Sequence, residues 1–234
     1  MPHTTYRLNW FIVFILLAFA QPAFSLMDPH MQSPIPDTGQ TKDYTKTFGE
    51  DSDYNLNPMS FTKMDIAGND LPDNAVEWAM VRDNVTGLVW EAKQAKDYTP
   101  DYSNIHDSDN TYTWYDPNPD TNGGVAGIDG GEINPDTLDF INALNTKRFG
   151  GFTDWRMPTK QELNSILNFG NSDPYKPSVN IEYFKNTMEG YYWTATTFAE
   201  EPDIAWKVDF YTGADNFHSK SDIGGSYHVR AVRG

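Results

Sequence analysis

The sequence predicts an α+β domain in which an antiparallel sheet is segregated from two helices. Two apolar runs around a turn signal come first, within residues 76–91. Two segments with helical spacing and capping residues follow within 134–170, and strand-like runs return after residue 190. Because strands and helices form separate blocks along the chain instead of alternating, we expect the helices to pack against an antiparallel sheet.

The first block is predicted to be a hairpin. Residues 76–82 and 85–91 are rich in apolar and β-branched side chains, and they flank Asp83-Asn84. Asp and Asn tolerate the positive φ angles that tight hairpin turns require. The two runs are therefore predicted to pair with each other.

The first helix is predicted to begin at Asn134, with Pro135 in its first turn and Gly150-Gly151 at its end. The second is predicted to begin at Thr159, which forms a capping box with Glu162, and to stop at Gly170. The apolar residues that should face the core are Leu138, Ile141 and Leu144 in the first helix and Leu163, Ile166 and Leu167 in the second.

Three strands are predicted in the last block, at 191–197, 204–210 and 227–233. In the middle strand, apolar side chains alternate with Ala205, Lys207 and Asp209. This period of two predicts an antiparallel strand with one buried face.

The N-terminal segment has the pattern of an export signal. Arg7 precedes an apolar run at 10–20, and small residues lead to Ser25, after which we expect cleavage. The alternative is an uncleaved membrane anchor, although the run falls short of the roughly 20 residues that span a bilayer. The chain contains no cysteine, which excludes a lipidated N-terminus. We therefore expect a chain that leaves the cytoplasm and has no membrane span after cleavage.

Residues 26–74 are predicted to be an extended arm that is irregular or partly laid on the domain, because Asp, Pro, Thr, Ser, Asn and Gly dominate without any period. Ordered structure is predicted to begin near Ala75. Four aromatic residues could pin the arm to the domain: Tyr44, Phe48, Tyr54 and Phe61.

The charge of the chain limits its partners. Thirty-three acidic residues stand against 17 basic ones, so the formal net charge is −16. Such a surface repels nucleic acids and polyanions. It also improves solubility, which is the more ordinary reason for an acidic surface.

Five motifs together resemble one family, the Lcl C-terminal domain, over about residues 37–234. They are Asp83-Asn-Val-Thr-Gly-Leu-Val-Trp-Glu91, Gly150-Gly-Phe-Thr-Asp-Trp-Arg-Met-Pro-Thr159 with Glu162-Leu163, Tyr192-Trp-Thr-Ala-Thr196, Ala205-Trp206 with Val208 and Phe210, and Val229-Arg-Ala-Val-Arg-Gly234. The resemblance implies an exported bacterial domain, whose namesake is a collagen-like adhesin that binds host polysaccharides. It implies a possible homo-oligomer, and a glycan or another envelope protein as partner.

Residues 154–159 are also similar to the Arg-Leu-Pro-Thr motif of formylglycine-generating and related C-type-lectin-like domains. This similarity implies a C-type-lectin-like scaffold. Those oxidases use cysteine thiols, which this chain lacks, so only the scaffold is implied. The acidic surface likewise makes a neutral glycan a better candidate than a polyanion.

The long loop at 93–134 is the predicted site, because loops of this length within a domain are functional or mobile. Tyr112, Trp114 and Tyr115 have no periodic reason to be buried, and they are the candidates for stacking on a sugar. The alternative is that they anchor the loop. The same two interpretations, stacking on a sugar and anchoring of the loop, apply to Tyr98 and Tyr102.

The same loop carries a candidate calcium site. Its four ligand candidates stand at alternate positions: Asp116, Asn118, Asp120 and Asn122. Alternation lets oxygen atoms converge on one hard cation, as in EF-hand loops. The alternative is a plain turn, since the glycine and the glutamate of such loops are missing. Asp107-Ser-Asp109 is a second, weaker acidic loop.

The remaining candidates favour structural roles. Trp155, Trp193 and Trp206 are predicted to be core residues rather than sugar platforms. Arg156, Glu162, Arg230 and Arg233 are predicted to form ion pairs rather than a catalytic group. No nucleophile motif and no zinc spacing occurs. We therefore expect a binding or adhesion module. The alternatives are a hydrolase with an unrecognised carboxylate pair and a structural subunit of an envelope assembly.

Overall fold

Nine strands and α-helices are found in the part of the chain described by this computed structural model, which comprises Met1 and residues 34–131, 135–171, 173 and 177–234. They are β1 (Phe61–Met64), β2 (Met80–Asp83), β3 (Val89–Glu91), α1 (Thr137–Thr146), α2 (Lys160–Ser165), β4 (Tyr191–Thr197), β5 (Ile204–Asp209), β6 (Asp215–Ser219) and β7 (Val232–Arg233). The described residues from 34 to 234 belong to one compact unit. The predicted signal peptide at 1–25 lies outside the described residues except for Met1. Among the described residues, no helix has the length and apolar character needed to cross a membrane.

Two antiparallel sheets make up the β structure. The first has the strand order β1-β2-β3-β7 and the second has the order β4-β5-β6. Every pair within them is antiparallel. With α1 and α2 placed between β3 and β4 in the sequence, the predicted α+β class is confirmed. The C-type-lectin-like scaffold stays a prediction.

The arm is less irregular than its composition indicates, and ordered structure does not begin at Ala75. Strand β1 lies inside the predicted arm and pairs with β2, with Phe61 opposite Asp83. The strand was missed because Lys63 makes its pattern look polar. That lysine is buried, and its ammonium group donates to the carbonyls of Asp73 (2.7 Å) and Ala75 (2.9 Å).

Of the four proposed aromatic anchors, only Phe61 is buried; Tyr44, Phe48 and Tyr54 are exposed. The arm is held instead by main-chain hydrogen bonds. The amide of Phe169 donates to the carbonyl of Thr38, over 2.8 Å.

The predicted hairpin exists, but its strands are shorter and its turn is wider. Asp83 ends β2 and is fully buried. Its carboxylate accepts the amide of Val85 (2.9 Å) and the hydroxyl of Thr86 (2.7 Å), and Gly87 takes the positive φ of 79°. One aspartate side chain thus organises the whole turn between β2 and β3.

One of the two predicted helix N-caps is confirmed and the other is wrong. Thr159 caps α2 and forms the predicted box with Glu162. Helix α1 is capped by Asp136 and not by Asn134, which lies outside the described residues. Asp136 accepts the amide of Asp139 over 2.9 Å, so a second capping box fixes α1. Both helices end before the predicted glycines, α1 at Thr146 and α2 at Ser165.

The C-terminal block contains one strand that the sequence hides. Strand β6 has exposed polar residues and pairs only with β5. The predicted strand at 227–233 is reduced to β7, because this segment changes partners: Tyr227 bridges to Tyr112 and His228 bridges to Tyr192. Its last residues then pair with β3, so the segment connects the two sheets.

Strand β5 is buried on both faces around its middle. Val208, on the face predicted to be apolar, is buried as expected, but so are Ala205 and Lys207 on the other face, whereas Trp206 is only partly buried. The burial of Lys207 was not predicted. The reason for this burial is an aromatic cover, since the Lys207 ammonium lies 3.9 Å from the Tyr191 ring centroid and 3.7 Å from that of Tyr227. Cation–π attraction offsets part of the cost of desolvating this charge.

Two apolar clusters form the core. One contains Trp114, Trp155 and Trp193, and the other contains Trp90 and Tyr192. The predicted core positions of Trp155 and Trp193 are confirmed. Every indole in the first cluster donates its N–H to a main-chain carbonyl, which is how a buried tryptophan satisfies its polar atom.

Candidate functional site

A surface cavity of about 430 Å³ lies beside the N-terminal half of α1. We call it the α1 groove. Its walls come from the loop at 114–121, from α1, from the segment 156–162 and from Ala195 of β4. The lining includes the apolar side chains of Trp114, Tyr115 and Met157 and the charged side chains of Asp116, Arg156 and Glu162. Apolar walls with a few converging polar groups are typical of ligand sites.

The helix α1 contributes apolar wall rather than core. Leu144 is fully buried, but Leu138 and Ile141 are only half-buried and line the α1 groove. The stripe that the sequence assigns to the core is therefore divided. Its C-terminal end packs inside the protein and its N-terminal end faces the cavity.

The aromatic side chains of the predicted site are not exposed as expected. Tyr112 and Trp114 are each only 3% exposed. Tyr112 packs on Phe140, with ring centroids 5.2 Å apart, and does not line the α1 groove. Trp114 donates its indole N–H to the carbonyl of Thr194 over 2.9 Å and still forms part of the wall. Both rings are therefore buried rather than exposed, Tyr112 against Phe140 and Trp114 against β4, which favours the alternative that they anchor the loop.

Tyr115 is the candidate that keeps an accessible side chain in the α1 groove, where it is half-buried. Its backbone is fixed by Thr137 at the start of α1. The amide of Tyr115 donates to the Thr137 hydroxyl oxygen, and that hydroxyl donates to the Tyr115 carbonyl, each over 3.0 Å. Tyr98 and Tyr102 are exposed and lie outside the groove.

An ion pair borders the α1 groove where α2 begins. The Arg156 guanidinium donates two hydrogen bonds to the Glu162 carboxylate, over 2.8 and 2.7 Å. Burial alone would raise the pKa of Glu162, but the bonds from Arg156 and from the amide of Thr159 outweigh it and lower the pKa. The predicted ion pair is confirmed, and Glu162 stays ionised.

The other predicted arginine pairs differ from each other. Arg233 pairs with Asp154 over 2.8 Å, as predicted. Arg230 is fully buried and donates instead to the carbonyl of Glu91 and to the hydroxyl of Thr187, each over 2.7 Å. Burial lowers the pKa of Arg230. Through its bond to the Glu91 carbonyl, Arg230 holds the segment 227–233 against β3.

The candidate calcium loop uses its side chains within itself. Asp116 accepts the amide of Asn118 (2.9 Å), Asn118 accepts that of Asp120 (3.0 Å), and Asn122 accepts that of Gly124 (2.7 Å). These are successive Asx turns. In the described part of the chain, no group of three or more His, Asp or Glu side chains is placed to hold a metal ion. Calcium at this loop stays a prediction, and the hydrogen bonds favour the turn.

Lys220 is a residue of this region that sequence reasoning missed. It is 1% exposed, and its ammonium donates to the carbonyl of Asn122 (2.7 Å) and to the hydroxyl of Thr197 (2.8 Å). The same ammonium lies 4.2 Å from the Trp114 ring centroid. Burial lowers the pKa of Lys220 to about 8. A cation of the chain itself thus occupies one side of the loop and ties it to β4.

A second group that the sequence does not reveal is a buried charge cluster at β3. Glu91 is fully buried, with Lys93 at 3.1 Å and the Nδ1 of His106 at 2.8 Å. Burial would raise the pKa of Glu91, but the positive charge of Lys93 and the bond to His106 lower it overall. Burial lowers the pKa of Lys93. Nothing in the spacing of these residues indicated that they meet.

Comparison with known proteins supports the family but adds no named relative. The model of the Lcl C-terminal domain matches residues 79–233. No curated protein and no solved structure matches the chain. The matched region contains Trp90, the Arg156–Glu162 pair and Arg230, whose positions in the core and the α1 groove are described above. Since the match covers more than half of its length, this chain belongs to the Lcl C-terminal domain family.

Proposed function

We propose that this chain is an exported binding module that holds a neutral glycan in the α1 groove. The observation that carries the proposal is the combination of walls in one cavity. Tyr115, Met157 and the edge of Trp114 offer apolar surface, while Asp116 and the Arg156–Glu162 pair offer hydrogen-bonding groups. Sugars present both an apolar ring face and hydroxyl groups, and they need both kinds of partner.

The charge of the α1 groove favours a neutral ligand. Arg156 is the one cation among the described residues that line it, and Glu162 already neutralises that cation through two hydrogen bonds. Asp116 adds a further negative charge, and the whole chain has a formal net charge of −16. A sulfated or uronate-rich polymer would meet repulsion here. The export part of the proposal depends on the segment 1–25 and on the family resemblance.

The proposal is tested with purified residues 26–234 on an array that contains neutral, sulfated and uronate-containing glycans, with and without a chelator. We expect binding to neutral glycans that Tyr115→Ala abolishes. The matched control is Tyr98→Ala, which removes an exposed tyrosine of the same long loop outside the groove. Silence across the array, or equal loss in both variants, would refute the assignment of the ligand to the α1 groove.

A hydrolase is the second candidate, because Asp116 and Glu162 line the same cavity. Glycosidases need one protonated and one ionised carboxyl group. Glu162 is a poor acid, since Arg156 and the amide of Thr159 hold it ionised. We therefore expect no release of reducing ends from neutral polysaccharides or of fragments from peptidoglycan. Turnover that both Asp116→Asn and Glu162→Gln abolish would replace the binding module by the enzyme.

A further inference from the structure

Four consecutive polar residues of the long loop are buried, which is unusual for a loop that carries two acids. Asp107, Ser108, Asp109 and Asn110 are 3%, 1%, 5% and 2% exposed. Carboxylates are almost never buried to this extent unless a cation or a set of donors compensates them. The negative charges of Asp107 and Asp109 therefore require hydrogen-bond donors or a cation close by.

Hydrogen bonds from the protein compensate these two carboxylates only in part. One oxygen of Asp109, Oδ2, accepts the amides of Asp97 (2.9 Å) and Thr99 (3.2 Å). Its other oxygen, Oδ1, is buried and has no donor. Asp107 accepts the amide of Asp109 over 2.8 Å. Within the described residues, neither carboxylate forms an ion pair.

The surroundings add negative charge instead of removing it. Burial raises the pKa of Asp107, and the nearby carboxylates of Asp109, Asp97 and Asp101 raise it further. The buried ammonium of Lys93 forms its ion pair with Glu91, and its electrostatic interaction with Asp107 is weaker. A positive charge beside Asp107 and Asp109 would therefore be stabilised.

Neutral oxygen ligands are also present. The amide of Asn110 points into the same loop, where its Nδ2 donates to the carbonyls of Asp101 (3.1 Å) and Asn104 (3.0 Å). Its Oδ1 is buried and has no donor. The loop at 97–110 therefore encloses two buried carboxylates and one amide, and an oxygen on both Asp109 and Asn110 has no partner.

We propose that Asp107, Asp109 and Asn110 bind a hard divalent cation, with calcium as the best chemical match. The donors are all oxygen atoms, and calcium takes six to eight of these in flexible geometry. Two carboxylates and one amide leave the remaining ligand positions to main-chain carbonyls and water, because no group of three or more acidic or histidine side chains converges in the described part of the chain. The site is separate from the α1 groove and from the loop at 116–122, and it does not depend on the proposed glycan.

The test uses residues 26–234 freed of metal by a chelator and then titrated with calcium. We expect a rise of several degrees in the unfolding temperature, because a ligand that binds only the folded state stabilises it. We also expect one calcium per chain by elemental analysis after desalting. Terbium should show emission on excitation of the protein, because Tyr112 lies beside Asn110, and calcium should displace it.

Asp109→Asn should abolish the calcium-dependent rise, and in the absence of calcium it should be at least as stable as the parent. A purely structural carboxylate would make the variant less stable without calcium. The matched control is Asp120→Asn, the same change in the other loop, which should retain the rise. No effect of millimolar calcium and no terbium emission in the parent chain would overturn the proposal. The proposal would also be overturned if Asp109→Asn kept the calcium-dependent rise in unfolding temperature and Asp120→Asn lost it.

Discussion

Lys220 offers the sharpest test of how the α1 groove is held together. The replacement Lys220→Met keeps a long apolar side chain against Trp114 but removes the ammonium group. Two acceptors lose their donor, the carbonyl of Asn122 and the hydroxyl of Thr197. Hydrogen bonds from a charged donor contribute about 1.5–3 kcal/mol each, so the two bonds together contribute about 3–6 kcal/mol.

The opposing effect is the desolvation of the charge. The pKa of Lys220 falls from its ordinary 10.5 to about 8, and each pKa unit corresponds to about 1.4 kcal/mol, so the charged form is disfavoured in the folded protein by about 3 kcal/mol. Methionine removes this cost. We therefore expect Lys220→Met to lower the free energy of unfolding by up to about 3 kcal/mol at pH 7, the difference between these two effects.

The pH dependence has a definite sign. Between pH 8 and 10.5 the unfolded chain holds the Lys220 proton and the folded chain has released it, so stability rises with pH over this window. The stability difference between the parent and Lys220→Met should grow by about 3 kcal/mol from pH 7 to pH 10.5.

Urea unfolding of both proteins at pH 7, 8.5 and 10 measures this difference, because all other titrations are common to the two chains. A difference that shrinks as the pH rises would refute the reasoning, since it would show that the folded protein prefers the charged lysine.

Three other substitutions test the fold, each by urea unfolding. Glu91→Gln leaves the buried ammonium of Lys93 without its anion and should cost about 3–5 kcal/mol, whereas Glu189→Gln, in a half-exposed pair, should cost less than 1 kcal/mol; similar values for both would contradict a buried ion pair. Thr159→Ala removes the capping box of α2 and should cost about 1 kcal/mol, and a neutral result would mean that packing alone holds this helix. Phe61→Ala should cost about 3–5 kcal/mol because β1 belongs to the core, while an unchanged midpoint would restore the domain boundary to residue 75.

The features that sequence reasoning predicts well are those whose partners lie nearby in the chain. The capping box of Thr159 and Glu162 spans three residues and is found as predicted. Strand β4 has its predicted bounds because its aromatic and β-branched residues favour extended backbone locally. The Arg156–Glu162 pair spans six residues and was also predicted.

One physical cause of missed features is the burial of lysine. Lys63, Lys207 and Lys220 lie in or beside β1, β5 and β6, and all three are buried. Each is compensated by carbonyls or aromatic rings from distant segments, so its pattern looks like solvent-exposed surface. Hydrophobic periodicity cannot reveal this arrangement, because it treats every lysine as polar.

The α1 groove combines parts that the chain keeps far apart, and this determines how it can work. The indole of Trp114 is held by a carbonyl of β4, the guanidinium of Arg156 by Glu162 of α2, and the main chain, though not the ring, of Tyr115 by Thr137 of α1. A wall side chain that is already bonded to a different element loses little conformational freedom when a ligand arrives. For the proposed ligand we therefore expect no rearrangement of these three residues, and we expect the affinity to depend on how closely a ligand matches the existing shape.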